Sequence, residues 1–348
     1  MKEFIRVLVA DDSITARETI IGILESDPQL KVIGEARNGK EAIELVRRLK
    51  PDLITMDIKM PIMNGLDAIQ HIMAYQPTPI VVIASSAFSQ GNAFIFKALE
   101  YGALEILEKP EPHDWESLPG MGKKIIKDIK ILANTPVITH VKGKRKVHET
   151  EKILKGKEEE LLSRVIAIGS STGGPTALMN VLSKLPEDIS AGILIVQHIA
   201  EGFIEGLVDW LNDRSKIVVK MAEDGETIKP GVAYVAPSGF HLVMKEPREV
   251  SLNRKPPVNG LRPAANMLFY SVAEVCKAEA IGVLLTGMGK DGADGMRAIK
   301  EEKGITIAQD KKSCLVYGMP KAAVDLGVVD KVVPLISISD ELQEIIKK

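Results

Sequence analysis

Short apolar runs alternate with amphipathic stretches along the first third of the chain. The runs are rich in β-branched residues, and each is followed by a stretch with apolar residues at helical spacing. This alternation predicts strands joined by helices in a parallel, doubly wound sheet. The predicted strands are Val7–Ala10, Val32–Gly34, Leu53–Met56, Ile80–Ala84 and Leu104–Leu107, and a predicted helix from about Trp115 to Leu132 completes this unit.

The pattern changes after this unit. From Thr135 to Glu160 the apolar periodicity is lost in favour of Lys, Glu and Thr, with a Lys-Gly-Lys-Arg-Lys cluster at 142–146. This composition is typical of a linker. The basic cluster has no interleaved aromatic residues, so we interpret it as a solvated spacer and not as a nucleic-acid site. The predicted domains are therefore 1–132 and 161–348, with a linker at 133–160.

A second series of strands and helices begins at Val165 and predicts another doubly wound α/β domain. Residues Tyr234–Val243 have the pattern of a strand, a turn and a returning strand, which predicts a hairpin that interrupts the parallel order. The other predicted strands of this domain are Val165–Ile168, Ile193–Val196, Ile217–Val219, Val232–Val235, Ile281–Leu285 and Ile305–Ala308.

Composition adds bounds to this picture. A length of 348 residues favours two domains. Charged residues nearly balance to a formal net charge of -2, which does not indicate a partner that is a polyanion or a membrane surface. Neither Cys276 nor Cys314 has a CxxC partner, which argues against a disulfide framework or a common zinc site. No stretch approaches the ~18 apolar residues of a membrane span and no leader pattern precedes the first strand, so we expect a cytoplasmic protein.

Polar residues follow four of the first five predicted strands. Asp11 and Asp12 follow the first, Asp57 the third, Ser85 the fourth and Lys109 the fifth. Because the carboxyl ends of parallel strands share one edge, we expect these side chains to meet there. Clustered carboxylates suit Mg²⁺, which would also balance a phosphoryl group on Asp57, the natural acceptor. Taken singly, Asp12 and Ser13 could cap the following helix, and Lys109 could be a surface lysine beside a turn.

The loop around Asp57 carries a resemblance to a known family. With Met56-Asp57-Ile58-Lys59-Met60-Pro61 and the following Gly65, residues 1–130 resemble the receiver domain of bacterial response regulators. The resemblance implies phosphotransfer to Asp57 from a histidine kinase, with Mg²⁺ held by Asp12, Asp57 and a carbonyl near Lys59. It also implies that Ser85 and Lys109 form the switch pair. Ser86 adjoins Ser85, so either hydroxyl could face the phosphoryl group.

A glycine-rich turn follows the first predicted strand of the second domain. Gly169-Ser170-Ser171-Thr172-Gly173 fits the G-x-S-x-G pattern, which exposes a serine on a sharp strand-to-helix turn. Ser171 is therefore a candidate nucleophile, and it needs a base and a group that orients the base. His198 follows a predicted strand at its carboxyl end and is favoured as the base over His241, which begins a returning strand.

A second glycine-rich turn, Thr286–Gly292, supplies the orienting group. Asp291 can hold the imidazole, whereas Asp294 suits the start of a helix. The backbone N–H of Thr172 is a candidate oxyanion donor, and a second donor could come from the region of Met288. This site requires no metal. An alternative is a phosphate-cradling turn at a helix amino terminus, but the turn matches neither common phosphate-binding pattern. The order serine, histidine, aspartate also differs from that of α/β-hydrolases.

At this point the second half resembles the catalytic domain of chemotaxis protein-glutamate methylesterases, and with the receiver in front the whole chain resembles that family, CheB. Departures are small: Ala200 stands where a proline often occurs, and no receptor-tethering pentapeptide is found. The motifs that carry the resemblance are Ile168-Gly-Ser-Ser-Thr-Gly-Gly-Pro175, Gln197-His198, Ala222-Glu-Asp-Gly-Glu226, Tyr234-Val-Ala-Pro237, Pro256-Pro-Val-Asn-Gly260 with Arg262-Pro263, Leu285-Thr-Gly-Met-Gly-Lys-Asp-Gly292 and Gly318-Met-Pro320.

The resemblance implies a serine hydrolase with Ser171 as nucleophile, His198 as general base and acid, and Asp291 as orienting carboxylate. Implied substrates are glutamyl methyl esters of chemoreceptors, with deamidation of glutamines as a second activity and inhibition by the unphosphorylated receiver. Implied partners are methylated chemoreceptors and a chemotaxis histidine kinase. No nucleic acid is expected as a partner, and the protein is expected to be a monomer. One alternative is a response regulator whose second domain only binds a partner, with Ser171 as a helix cap. A DNA-binding regulator is disfavoured because no helix-turn-helix with a basic face is found in 165–348.

Overall fold

The computed structural model describes residues 4–85, 92–110, 118–137, 163–246 and 248–347. The chain divides into two compact units, one within residues 1–146 and the other within 147–348. Most of the predicted linker lies outside the described residues, so its limits and those of the two domains stay predictions.

The first unit contains a five-stranded parallel sheet of order β2-β1-β3-β4-β5. Its central strands are buried along their length, which explains why they are continuous apolar runs in the sequence. The last helix is described from Leu118, and residues 115–117 of its predicted span lie outside the described part. The elements are β1 (Ile5–Ala10), α1 (Ile14–Glu25), β2 (Leu30–Ala36), α2 (Gly39–Leu49), β3 (Leu53–Met56), α3 (Gly65–Tyr75), β4 (Ile80–Ala84), α4 (Lys97–Glu100), β5 (Glu105–Glu108) and α5 (Leu118–Leu132).

The second unit contains a seven-stranded parallel sheet of order β14-β13-β12-β6-β7-β9-β8 and a separate two-stranded sheet. Both units are therefore α/β with parallel sheets, as the sequence pattern predicts. The elements are β6 (Arg164–Ser170), α6 (Gly174–Leu182), β7 (Ala191–Gln197), α7 (Ile204–Arg214), β8 (Val218–Met221), β9 (Val232–Val235), β10 (His241–Lys245), β11 (Glu249–Asn253), α8 (Ala265–Cys276), β12 (Ala280–Leu284), α9 (Ala293–Glu301), β13 (Ile305–Gln309), α10 (Met319–Asp325), β14 (Lys331–Val333) and α11 (Ile338–Ile346).

The predicted hairpin within Tyr234–Val243 is wrong in its pairing. Strand β9 pairs with β7 and β8 in the large sheet, whereas β10 pairs antiparallel with β11. Leu242 and Met244 of β10 are buried in the same cluster as Leu268 and Val272 of α8. The apolar face of β10 is thus covered by a helix, and the alternation within the strand does not identify which strand will pair with it.

The order of the large sheet brings three loops together. Strand β6 lies between β7 on one side and β12 on the other, so the chain leaves the middle of the sheet in both directions. The carboxyl ends beside such a switch point form the usual ligand crevice of a parallel sheet. The loops that follow β6, β7 and β12 meet at this edge.

Candidate functional site

Three charged side chains meet at the carboxyl edge of the first sheet. The Nζ atom of Lys109 lies 2.6 Å from Oδ2 of Asp11 and 3.0 Å from Oδ2 of Asp57. Both carboxylates are buried, and Lys109 is largely covered. The structure thus places residues from the ends of β1, β3 and β5 in direct contact.

Burial and neighbouring charges act on these groups in opposite directions. Burial raises the pKa of Asp57 above its usual value, and together with the Asp11 carboxylate it outweighs the attraction of Lys109. Burial alone would lower the pKa of Lys109, but the carboxylates of Asp57 and Asp11 raise it above its usual value. The ammonium therefore stays charged, whereas Asp57 would be stabilised by further positive charge.

A third carboxylate stands at the rim of this pocket. One oxygen from each of Asp11, Asp12 and Asp57 can be chosen so that all three lie within 4.8 Å of one another, and Asp12 is exposed. Mg²⁺ takes oxygen ligands and retains several waters, so it needs only a few carboxylates from the protein. The three residues therefore fit the Mg²⁺ that a receiver domain binds.

Arginine and serine contacts hold the loop after β1. The guanidinium of the buried Arg17 donates to the carbonyl oxygens of Asp11 and Asp12, at 2.9 and 3.3 Å. Ser13 caps α1, since its side chain accepts a hydrogen bond from the N–H of Ala16. Of the two cap candidates from the sequence, Asp12 and Ser13, the structure gives the role to Ser13. The sequence did not indicate the contribution of Arg17.

Helix α3 begins directly against the backbone of Asp57. A Cβ atom on Gly65 would lie 2.0 Å from the carbonyl oxygen of Asp57, so no larger residue fits there. Ser85 follows β4 at the same edge and is partly buried. Ser86 lies outside the described residues, so the assignment of the switch hydroxyl to Ser85 stays a prediction.

The second site is built at the switch point of the large sheet. The Nε2 atom of His198 lies 3.0 Å from Oδ2 of Asp291, and both side chains are largely buried. Ser171 leaves β6 beside the point where His198 leaves β7, because the His198 N–H donates to the Ser170 carbonyl at 3.0 Å. The structure therefore gathers Ser171, His198 and Asp291 from three adjacent strand ends.

The amino terminus of α8 holds the carboxylate of Asp291. The backbone N–H groups of Ala265 and Asn266 donate to it at 2.6 and 3.1 Å. Burial alone would raise the pKa of Asp291, but the hydrogen bond and charge of His198 and these two backbone donors lower it below its usual value. Asp291 is thus held as an anion against the imidazole.

Gln197 ties the serine turn to the histidine. Its Nε2 donates to the carbonyl oxygens of Ser171 and His198, each at 2.9 Å, and its Oε1 accepts from the Ser170 hydroxyl at 2.6 Å. The side chain is buried, and a Cβ on Gly174 would lie 1.9 Å from its Oε1. Glycine at the start of α6 is therefore needed for this arrangement.

Thr286, at the end of β12, clamps the serine turn from the other side. Its hydroxyl donates to the Thr172 carbonyl at 3.0 Å and accepts from the Val316 N–H at 2.9 Å. The Ser171 N–H donates to the Thr286 carbonyl at 3.1 Å. A Cβ on Gly287 would lie 2.8 Å from that of Ser171, so the two turns are in close contact.

Two backbone donors at this edge remain available. Within the described residues, neither the Thr172 N–H nor the Met288 N–H donates to a protein acceptor. Gly173 has a φ of 75°, which turns the chain into α6 directly after Thr172. Free N–H groups next to a nucleophile are suited to stabilise an oxyanion.

The two competitors from the sequence lie elsewhere. The ring of His241 is fully buried, and its Nε2 lies 3.2 Å from the Pro256 carbonyl oxygen. Asp294 is exposed in the first turn of α9 and pairs with Arg297 at 3.3 Å. Neither contacts the site in the described structure.

Sequence reasoning missed the groups that position these side chains. Gln197 was visible only as the neighbour of His198, and Thr286 only as the start of a glycine-rich turn. Nothing in the pattern indicated that the N–H groups of Ala265 and Asn266 would bind Asp291, because they come from a separate helix.

In the described ranges, no helix has the length and apolar character needed to cross a bilayer.

Comparisons with known proteins match both units. A family model described as CheB methylesterase matches residues 166–342, and one described as response regulator receiver domain matches residues 7–115. A Pyrococcus horikoshii protein named protein-glutamate methylesterase/protein-glutamine glutaminase is 42% identical over 339 residues, which are 97% of this chain and 92% of that protein. A Clostridium acetobutylicum protein of the same name is 38% identical over 356 residues, covering 99% of each chain. The crystal structure of the Thermotoga maritima CheB methylesterase catalytic domain is 41% identical with a TM-score of 0.52, covering 53% of this chain and 98% of that one.

Proposed function

The chain belongs to the CheB methylesterase family, and from this membership we propose that it hydrolyses glutamyl methyl esters on chemoreceptors and deamidates glutamines there. The observation that carries the proposal is the contact between His198 and Asp291 beside the turn of Ser171. The names of the full-length relatives support this substrate class. We also propose 1–132 as the receiver, 133–160 as linker and 161–348 as the catalytic domain.

His198 acts as the base through its Nδ1 atom. Its Nε2 is engaged by Asp291, so it carries the ring proton, and Nδ1 is left to accept the proton of the Ser171 hydroxyl. The Asp291 anion stabilises the imidazolium that forms. The lowered pKa of Asp291 keeps this carboxylate ionised through the cycle.

Acyl transfer follows from this proton movement. Ser171 Oγ attacks the γ-carbonyl carbon of the glutamyl ester, and the Thr172 and Met288 N–H groups donate to the oxyanion. The imidazolium then gives its proton to the leaving methoxy group, so methanol departs and an acyl-serine remains. Water, deprotonated by His198, releases the glutamate carboxylate. With a glutamine substrate the same steps release ammonia.

The receiver regulates this hydrolysis by its phosphorylation state. A chemotaxis histidine kinase donates the phosphoryl group to Asp57. Asp11, Asp12 and Asp57 would hold Mg²⁺, whose charge would offset that of the phosphoryl group. Lys109 contributes positive charge beside the acceptor, and Ser85 is the switch hydroxyl. Phosphorylation raises the rate of ester hydrolysis.

Methanol release from methylated chemoreceptor membranes tests the proposal. Wild type should release methanol, and Ser171→Ala should reduce release by about 10³-fold or more, because the nucleophile is lost. Ser183→Ala, at the far end of α6, is the matched control and should behave as wild type. Methanol release by Ser171→Ala at the wild-type rate would refute the nucleophile and favour the alternative in which the second domain only binds a partner.

A further inference from the structure

Two arginines of the second unit have no carboxylate partner within the described ranges. Arg262 Nη1 donates only to the carbonyl oxygens of Arg254 and Lys255, both at 3.4 Å, which is long for a hydrogen bond. Its Nε is buried without a hydrogen-bond partner among the described residues. Arg254 is exposed, and its guanidinium carbon lies 4.5 Å from the centre of the Phe240 ring.

The segment that carries both arginines is anchored. Its turn has φ angles of 51° at Asn259 and 79° at Gly260, and Val258 and Leu261 exchange backbone hydrogen bonds of 3.0 Å. This is the pattern of a two-residue turn with asparagine and glycine in left-handed conformations. Arg262 follows the turn directly, so its position is defined by a closed loop.

Chain connectivity places Arg262 near the triad from the side of α8. Arg262 stands three residues before Ala265, whose N–H donates to Asp291. Three residues span at most about 11 Å between Cα atoms. Lys290, adjacent to Asp291, is exposed and also has no carboxylate partner in the described part of the chain. Two basic residues therefore stand close in sequence to the segments that meet at Asp291: Arg262 before α8 and Lys290 in the loop after β12.

The pairing of β9 with β7 also relates Arg254 to the carboxyl edge of the large sheet. Phe240, on which Arg254 stacks, comes five residues after Val235. Val235 pairs with Ile195 of β7, and His198 follows three residues after Ile195. The loop after β9 and the loop after β7 thus leave neighbouring strands at the same end of the sheet.

A partly buried guanidinium without an anion is unfavourable, because its lost hydration is not replaced by a counter-charge. Arginine presents a planar fork of donors that matches both oxygens of a carboxylate. Since the described protein supplies no carboxylate to Arg262 or Arg254, an external one would complete the site. The position of Arg262 just before α8, whose amino terminus binds Asp291, favours a group that arrives with the substrate.

We propose that Arg262 and Arg254 form a carboxylate subsite that receives an acidic side chain of the substrate protein near the target glutamyl ester. This inference rests on the proposed function and deepens it by naming the substrate class: esters with an acidic neighbour. On a helical substrate, residues four positions apart lie on one face, so the acidic residue would stand one turn from the ester.

Synthetic helical peptides with a glutamyl methyl ester test the subsite. Two peptides differ only in having Glu or Gln four positions from the ester, and a third has Lys there. The full chain is used with acetyl phosphate and Mg²⁺ in every assay, and kcat and KM are measured for wild type, Arg262→Gln and Arg262→Glu. Arg297→Gln on α9 is the control, because Arg297 is an exposed arginine that pairs with Asp294.

Wild type and Arg297→Gln should prefer the Glu peptide over the Gln peptide by about tenfold in kcat/KM, less at high salt. Arg262→Gln should remove this preference through a higher KM for the Glu peptide alone, and Arg262→Glu should shift it to the Lys peptide. The subsite would be overturned if wild type had equal kcat/KM on the Glu and Gln peptides. It would also be overturned if Arg262→Gln lost kcat/KM equally on both peptides. Either result would leave the proposed esterase activity standing. Absence of hydrolysis of every peptide by wild type would overturn the proposed function and the subsite together.

Discussion

Asp57 directly follows β3 and Asp291 lies in the loop after β12, and the pKa values of these two aspartates move in opposite directions. Burial dominates at Asp57, where a second carboxylate lies nearby and one ammonium does not compensate for it. At Asp291 the His198 ring and two backbone N–H groups together outweigh burial. The neighbouring carboxylate at Asp57, and the three donors at Asp291, explain the difference. Asp291 is thereby suited to remain an anion, and Asp57 lies in a cluster of carboxylates that would be stabilised by a bound cation such as Mg²⁺.

The first prediction at this scale concerns Asp291→Asn. A neutral asparagine cannot accept hydrogen bonds from both the His198 ring and the N–H groups at the amino terminus of α8 as the aspartate anion does. The imidazolium of His198 also loses its counter-charge. We expect kcat for methanol release to fall by about 10⁴-fold. Asp294→Asn, three residues away on the exposed face of α9, should retain wild-type kcat. A loss below tenfold in Asp291→Asn would contradict the assigned role.

The same variant has a stability signature. The pKa of Asp291 is lowered in the folded protein, so its ionised form stabilises the fold at pH values above the ordinary pKa of 3.8. This contribution to stability is lost as the pH falls through the lowered pKa of the folded state. The free energy of unfolding of Asp291→Asn should therefore be about 1–3 kcal/mol lower than that of wild type at pH 7. Denaturant unfolding should show that the difference in unfolding free energy between wild type and Asp291→Asn becomes smaller below pH 3.8.

At the scale of elements, the contact between α6 and β7 sets the geometry of the serine turn. The first residue of α6, Gly174, lies against Gln197, the last residue of β7. The helix can begin there only because no side chain separates it from the amide that binds Ser171 and His198. The start of α6 thus determines where Ser171, the proposed nucleophile, lies relative to His198.

Gly174→Ala tests this contact. The new methyl would displace the Gln197 side chain, so we expect kcat to fall by about 10²-fold with a smaller change in KM. Gly22→Ala in α1 is the matched control, because no atom lies within 4 Å of the added methyl. There we expect unchanged activity and a gain in stability of about 0.5–1 kcal/mol. Equal activity of the two variants would refute the role of this contact.

At the scale of the whole molecule, each of the two units has its own parallel sheet and its own charged site at the carboxyl edge. The chemistry of the two sites is separate: oxygen ligands suited to Mg²⁺ in the first, and a serine, a histidine and an aspartate in the second. The regulation proposed above requires that phosphorylation at the first site changes the rate of hydrolysis at the second.

Phosphorylation tests that coupling. Acetyl phosphate with Mg²⁺ should raise methanol release by wild type, and Asp57→Asn should remove the rise because the acceptor is lost. Asp67→Asn, an exposed aspartate in the first turn of α3, is the control and should keep the rise. Chelation of Mg²⁺ should also remove the rise in wild type. A rise that persists in Asp57→Asn would place the regulation elsewhere.

The sequence alone was enough to predict the parallel α/β character of both units and the family. Apolar periodicity reports which faces are buried, and the turns around Asp57, Ser171 and Asp291 are local patterns of glycine and polar residues. Strand ends carry side chains to a common edge wherever the sheet is parallel. The residues proposed for chemistry could therefore be named before their contacts were known.

The tertiary structure alone decided what surrounds those residues. The pairing of β10 with β11 depends on which surface α8 covers, and the sequence pattern assigned it wrongly. Asp291 reaches His198 across 93 residues of chain, and its anionic form depends on two N–H groups of α8. Gln197 acts through the direction of its side chain. Such contacts join segments distant in sequence, and local periodicity contains no information about which distant segments will pack together.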